Sequence, residues 1–140
     1  MLLNELIAIV GSSNVSDKDF ILAAYSRDNS LLPPQRPDFV VRPGDVTEIS
    51  EILKLANQTK TPVSVRGGGT SCAGASIPVP SSILVDMTRI NKIISIDEEI
   101  MTVTVQTGIT WGKLVYELRE RGYKLGFGGP ASGTASTIGG

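Results

Sequence analysis

Apolar residues recur along the chain with two different periods. Leu3, Leu6, Ile7 and Val10 return every three or four positions, so residues 2–10 are predicted to form a short helix with one apolar face. A second short helix is predicted over 17–26, with Ser16 as its N-cap and Asp19 in the capping-box position. The segment Leu32-Pro33-Pro34-Gln35-Arg36-Pro37 cannot be helical. Its prolines lack amide donors and push their predecessors toward extended backbone, which predicts an ordered connection. Phe39-Val40-Val41 then reads as a strand, stopped by Pro43-Gly44. Asp45 and Glu48 have capping-box spacing, and Val46, Ile49, Ile52, Leu53 and Ala56 follow on one helical face. That helix is predicted to run to about Thr59 and to be broken by Thr61-Pro62. Val63-Ser64-Val65 is the next strand. Strand, helix, strand is the pattern of a parallel crossover unit.

Further along, the spacing changes to the alternation of strands. Residues 83–87 form a short apolar strand, and 93–96 and 101–106 form a pair joined by the acidic turn Asp97-Glu98-Glu99. Met101, Val103 and Val105 alternate with Thr102, Thr104 and Gln106, as in a half-buried strand. Thr110 is placed to cap a helix whose core face is Trp111, Leu114, Val115 and Leu118, with Gly122 at the left-handed C-cap. After it, Gly126 to Gly140 contains few core-forming side chains and reads as a long loop. The class is α+β: a first α/β subdomain, then the start of a second, β-rich subdomain. Two regions are expected, a helical segment with its Pro-rich connection at 1–36 and a domain at 37–140. An intact domain rarely stops inside a glycine-rich loop, so the pattern predicts a chain cut short. In such a fragment Val103, Val105 and Leu114 lack later partners, and self-association is expected.

Composition narrows the chemistry. The chain has 140 residues, 41 % of them apolar, which is enough for one domain with a real core. Net charge is −1 and no window is densely basic, which argues against nucleic acid as a partner. No apolar run approaches the length of a transmembrane helix. The absence of His excludes Ser-His-Asp and Cys-His catalysis and imidazole metal sites within this chain. A single cysteine, Cys72, excludes an internal disulfide and a multi-thiolate metal site, and it reads as an incidental thiol. The N-terminus lacks the basic region of a secretory signal, so a cytoplasmic location is expected. Asp86 reads as a strand-end residue, Asp97-Glu98-Glu99 as a solvated hairpin tip, and Trp111 as core.

Glycine is the residue in excess, at 15 of 140 against a usual ~7 %. Gly67, Gly68 and Gly69 directly follow a strand. Consecutive glycines there expose backbone N–H groups that can converge on an anion such as phosphate, with Thr70 and Ser71 adding hydroxyls. A plain surface turn is the alternative; the position straight after a buried strand favours binding. No Lys-Ser/Thr pair follows, so this is not a Walker A loop. Pro78 and Pro80 forbid the helix of a Rossmann fingerprint. Arg66 either neutralises phosphate or solvates the strand end. The second candidate runs from Pro130 to Gly140, where small residues and Ser/Thr hydroxyls suit close approach of a ligand, with Ile138 as an apolar anchor.

These segments, in this order, resemble a known family. The set is Val40-Val41-x-Pro43, the capped helix, Pro62-Val63-x-Val65-Arg66-Gly67-Gly68-Gly69-Thr70-Ser71, Val103-x-Val105-Gln106-x-Gly108-x-x-Trp111 and Thr137-Ile138-Gly139-Gly140. It is similar to the FAD-binding domain of the p-cresol methylhydroxylase and vanillyl-alcohol oxidase type. The branch it looks most like holds D-lactate dehydrogenases and the FAD subunit of glycolate oxidase. The resemblance implies an FAD-dependent oxidoreductase acting on a small 2-hydroxy acid. It places the cofactor on Arg66, Gly67, Gly68, Gly69, Thr70, Ser71 and Gly74 and on Pro130, Ser132, Gly133, Thr134, Thr137, Ile138, Gly139 and Gly140. Relatives with covalent flavin often carry His at the Thr70 position or Cys near Gly133, so non-covalent FAD is expected here. Catalytic groups would lie after Gly140, and the 140 residues alone are expected to be inactive. The alternatives are a cell-wall-precursor reductase on the same fold and a non-catalytic dinucleotide- or phosphate-binding module.

Overall fold

The computed structural model describes residues 2–126 and 133–140. Its first unit is a four-stranded sheet in the order β1-β2-β4-β3, where β1 is Val15–Ser16, β2 Phe39–Val41, β3 Val63–Arg66 and β4 Ile83–Asp86. β2 and β3 both run parallel to β4, in the registers Val41↔Val85 and Arg66↔Asp86. All four residues of β4 are buried, which suits the continuous apolar run Ile83-Leu84-Val85 of a central parallel strand. Helix α1 (Leu2–Val10) and helix α3 (Val46–Thr59) supply Leu6, Val10, Ile52, Leu55 and Ala56, which close a core with Val41, Ile83 and Val85. Thus α1 and β1, both N-terminal to Pro37, share this core and this sheet. Helix α2 (Asp19–Ala24) lies against β2.

The second unit is an antiparallel hairpin, β5 (Ile93–Asp97) with β6 (Thr102–Val105), bearing a bulge between Ile93 and Ser95. Helix α4 (Trp111–Glu120) packs Leu114 and Leu118 with Ile109 on Ile93, Ile96, Val103, Val105 and Ile138.

The caps follow from side-chain chemistry. Asp45 Oδ1 accepts from the Glu48 N–H at 2.9 Å, while Glu48 Oε2 accepts from the Gly44 N–H at 2.6 Å, one residue earlier than a standard box. Thr110 Oγ1 accepts from the Lys113 N–H at 3.2 Å. Gly122, at φ 83°, ends α4 in a Schellman pair, its N–H on the Arg119 carbonyl and that of Tyr123 on the Leu118 carbonyl.

Four sequence expectations are corrected. Ser16 caps no helix: it pairs with Val40 in β1, because the open edge of β2 offers ladder bonds that outweigh a local cap. Val46, at the first turn, is 71 % exposed and Leu53 48 %; Leu55 is buried in place of Leu53, since Leu53 stands about 100° around the helix from Ile52. Met101 is exposed at φ 53°, in the turn before β6, so it does not continue the inward row of Val103 and Val105. Trp111 is only half-buried and stands outside the second core cluster.

Candidate functional site

Parallel strands deliver their C-terminal ends to one side of a sheet. Here that side carries Arg42 just after β2, Arg66 and Gly67 at the end of β3, and Asp86 at the end of β4. Together with Ala24, Tyr25, Gly68 and Thr88 they line a cleft of about 450 Å³. Open α/β sheets bind ligands in this position.

The glycine loop leaves β3 at this cleft; β3 is an edge strand with Val65 60 % exposed, not the buried strand expected, because only β4 pairs with it. Among the described residues, the backbone N–H groups of Gly67, Gly68, Gly69, Thr70, Ser71 and Cys72 donate to no protein acceptor. Such a run of free N–H donors is available to an anion. Gly69 and Gly74 have φ of 67° and 82°, where a side chain would be strained.

The loop is also where the chain's two small-residue segments meet. A Cβ on Gly67 would stand 2.1 Å from Thr137 Oγ1, and one on Gly68 would stand 1.7 Å from the Ala135 carbonyl oxygen. Thr70 Oγ1 and Ser136 Oγ share a hydrogen bond of 2.9 Å. The second segment is fixed from behind. Trp111 N–H donates to the Ser136 carbonyl at 3.0 Å, Ile138 N–H to that of Ile109 at 2.9 Å, and Gly139 N–H to that of Thr107 at 2.9 Å. Ser136 and Thr137 are buried and Ile138 anchors in the second core. Thr134, Gly139 and Gly140 are exposed; Gly133 is exposed too, with no atom of the described residues within 4 Å of a Cβ placed there. Pro130 and Ser132 lie outside the described residues.

Arg66 lines the cleft and also makes contacts within the protein. Its Nη1 donates to the carbonyls of Arg27 at 2.7 Å and Ser76 at 3.2 Å. Its guanidinium lies 5.4 Å from the centroid of the Tyr25 ring. Ser71 Oγ accepts from the N–H groups of Ala73 and Ala75, both at 3.2 Å. Cys72 is a free, exposed thiol.

Asp86 is a strand-end residue, as its sequence context predicts, and has a second task. Its Oδ1 accepts from the Thr88 N–H at 2.8 Å and its Oδ2 from the Tyr25 hydroxyl at 2.5 Å. Arg42 Nε stands 3.7 Å away. Burial, and after it the hydrogen bond to Asp86, pushes the Tyr25 phenol up to about 12. Tyr25, Arg42 and Asp28 were not singled out by sequence reasoning, and no local pattern marks them.

Residues 37–140 match the family model described as an FAD binding domain. The chain belongs to this family. It is 32 % identical over 136 residues to glycolate oxidase subunit GlcD of Bacillus subtilis, covering 97 % of this chain and 29 % of that protein. It is 32 % identical over 114 residues to the mitochondrial D-lactate dehydrogenase [cytochrome] 1 of Saccharomyces cerevisiae, covering 79 % and 19 %. A solved alkyldihydroxyacetonephosphate synthase superposes with a TM-score of 0.87 at 27 % identity, over 99 % of this chain and 28 % of that one. Substrate-bound p-cresol methylhydroxylase, at 24 % identity, shares the fold with a TM-score of 0.83 over 94 % and 27 %. The chain spans less than a third of the length of these curated relatives. FAD is the cofactor of the family, and the row of free N–H groups beside the cleft fits its diphosphate. Among the described residues no helix is long and apolar enough to cross a membrane.

Proposed function

We propose that this chain is the FAD-binding portion of an oxidoreductase acting on a small 2-hydroxy acid such as D-lactate or glycolate, with FAD held non-covalently. The observation that carries the reading is the N–H row of Gly67 to Cys72, without acceptors among the described residues, at the C-terminal edge of a parallel sheet. Those donors meet the diphosphate without importing a counter-charge. The segment from Gly133 to Gly140, seated on the same glycines, lies along the dinucleotide and keeps water from one side of it. The glycines allow both approaches, because a side chain at Gly67 or Gly68 would push the two segments apart. Thr70 offers a hydroxyl where a covalent anchor would need a histidine. Bound FAD supplies the acceptor for the hydride equivalent leaving the hydroxyl-bearing carbon. The 2-hydroxy-acid class is supported by the glycolate oxidase subunit and the D-lactate dehydrogenase among the relatives.

The test is anaerobic flavin reduction in the purified full-length protein. Bleaching of the visible flavin absorbance by D-lactate or glycolate is expected. Bleaching by NADPH alone would replace this reading with a reductase, and a colourless protein that binds only nucleotide would replace it with a binding module.

A further inference from the structure

The glycine loop has few bonds of its own: Ser71 Oγ accepts from the Ala73 and Ala75 N–H groups, and Ile77 N–H donates to the Gly74 carbonyl. Two of its glycines have positive φ. On one side Thr70 bonds Ser136; the other contacts that hold it come from residues 25–32. Asn29 N–H donates to the Ser71 carbonyl at 3.0 Å. Asp28 Oδ2 accepts from the Ser76 N–H at 3.3 Å while its Oδ1 accepts from the Ser30 N–H at 2.9 Å. Leu32 Cδ1 stands 2.4 Å from where a Cβ on Gly74 would be. From the loop's side, Arg66 reaches back to the Arg27 and Ser76 carbonyls and lies over Tyr25. Its Nη2 fills the place of a Cβ on Gly69, at 2.0 Å. Every one of these partners in 25–32 precedes residue 37, where the family match begins.

We infer that residues 25–32 and Arg66 form a template that presets the loop before FAD arrives, which makes Arg66 and Asp28 positioning residues and not phosphate ligands. This rests on the reading of the loop as the diphosphate site. A loop ordered in advance loses less conformational freedom on binding, so affinity depends on the template. Arg66 bonds both carbonyls through Nη1 alone, while the rest of its planar head lies against Gly69. A lysine at the same place keeps the charge but has no planar head to fill the space at Gly69 while it reaches the two carbonyls.

The experiment is FAD titration of the flavin-stripped full-length protein, by fluorescence, at several salt concentrations. Arg66→Lys and Arg66→Gln are both expected to weaken FAD about tenfold, the effect of one lost hydrogen-bonded support. Asp28→Ala is expected to weaken it as well, and the Asp28→Ala/Arg66→Gln pair by less than the product of the two. The slope of affinity against salt stays as in wild type, because no cation in contact with the phosphates is removed. Wild-type affinity in Arg66→Lys, or a flatter salt slope in Arg66→Gln, would show a direct phosphate contact and overturn the inference. So would wild-type affinity in Asp28→Ala, which decides alone if the Arg66 variants do not fold. Gly68→Asp separates the two levels. If it abolishes binding while Asp28→Ala and Arg66→Lys bind normally, the diphosphate reading stands and the template falls. If it binds FAD normally, both fall.

Discussion

The Tyr25 hydroxyl donates to Asp86 Oδ2 at 2.5 Å across 61 residues of sequence. The bond ties the end of α2 to the end of the central strand, at the mouth of the cleft. The phenol's folded value of about 12 lies above its ordinary 10.0, so the protonated form is the one the fold prefers. Its contribution is therefore complete below pH 10 and is lost as pH rises from 10 toward 12. Tyr25→Phe is expected to destabilise the protein by about 1–3 kcal/mol at neutral pH, since it leaves a buried carboxylate short of a donor. Urea unfolding of both proteins across alkaline pH checks this: the difference should be flat below pH 10 and shrink above it.

Asp28 gives the opposite sign. Its hydrogen bond to Ser30, followed by those to backbone donors, holds its carboxyl below the ordinary 3.8. Its contribution is present above 3.8 and lost as pH falls through the lower folded value. An acid titration of Asp28→Asn against wild type should show a stability gap at neutral pH that closes below pH 3.8. A gap unchanged by acid would dismiss the ionised carboxylate as the source.

Two glycines make a controlled pair. Gly68→Ala places a Cβ 1.7 Å from a backbone carbonyl oxygen, whereas at Gly126 no atom of the described residues lies within 4 Å of the Cβ position. The first is expected to lose about 1–3 kcal/mol and the second to stay within about 0.5 kcal/mol of wild type. Denaturant midpoints measured side by side check the difference.

The cap of α3 is a smaller, local effect. Asp45→Ala removes the acceptor of the Glu48 N–H and should lower stability by about 1 kcal/mol, with FAD affinity unchanged. A change in affinity would mean that α3 communicates with the loop.

Cofactor attachment is tested most simply. The chain has no His, and its glycine loop has Thr70 where an anchor would stand. Acid precipitation of the flavoprotein should release all of its FAD. Yellow flavin retained in the denatured pellet would contradict non-covalent binding by this part of the protein.

The elements that could be read from sequence were those with a local physical cause. The Asp45 and Thr110 caps, the Gly122 stop and the apolar run of β4 each depend on neighbours a few residues away. The glycine loop was legible for the same reason, since backbone freedom is written in the residue type. What escaped were relationships across long separations. Ser16 became a strand because the edge of β2 was open to it, and nothing near Ser16 records that edge. Arg66 could be placed at a strand end, but its engagement with the Arg27 carbonyl, 39 residues earlier, depends on how two distant segments are folded together. Leu53 and Leu55 could be told apart only once the direction of the core was known.

The strand order also sets a timetable. β4 is synthesised after β2 and β3 and yet lies between them, paired to both. A nascent chain that has released only residues 1–82 therefore carries two strands with no common neighbour, and the apolar side chains of α1 and α3 have only part of their floor. The sheet closes when Ile83 to Asp86 arrive, and the same four residues bring the carboxylate that Tyr25 holds. The crossover unit, and with it the Tyr25 tie at the cleft, is complete only once these four residues are available.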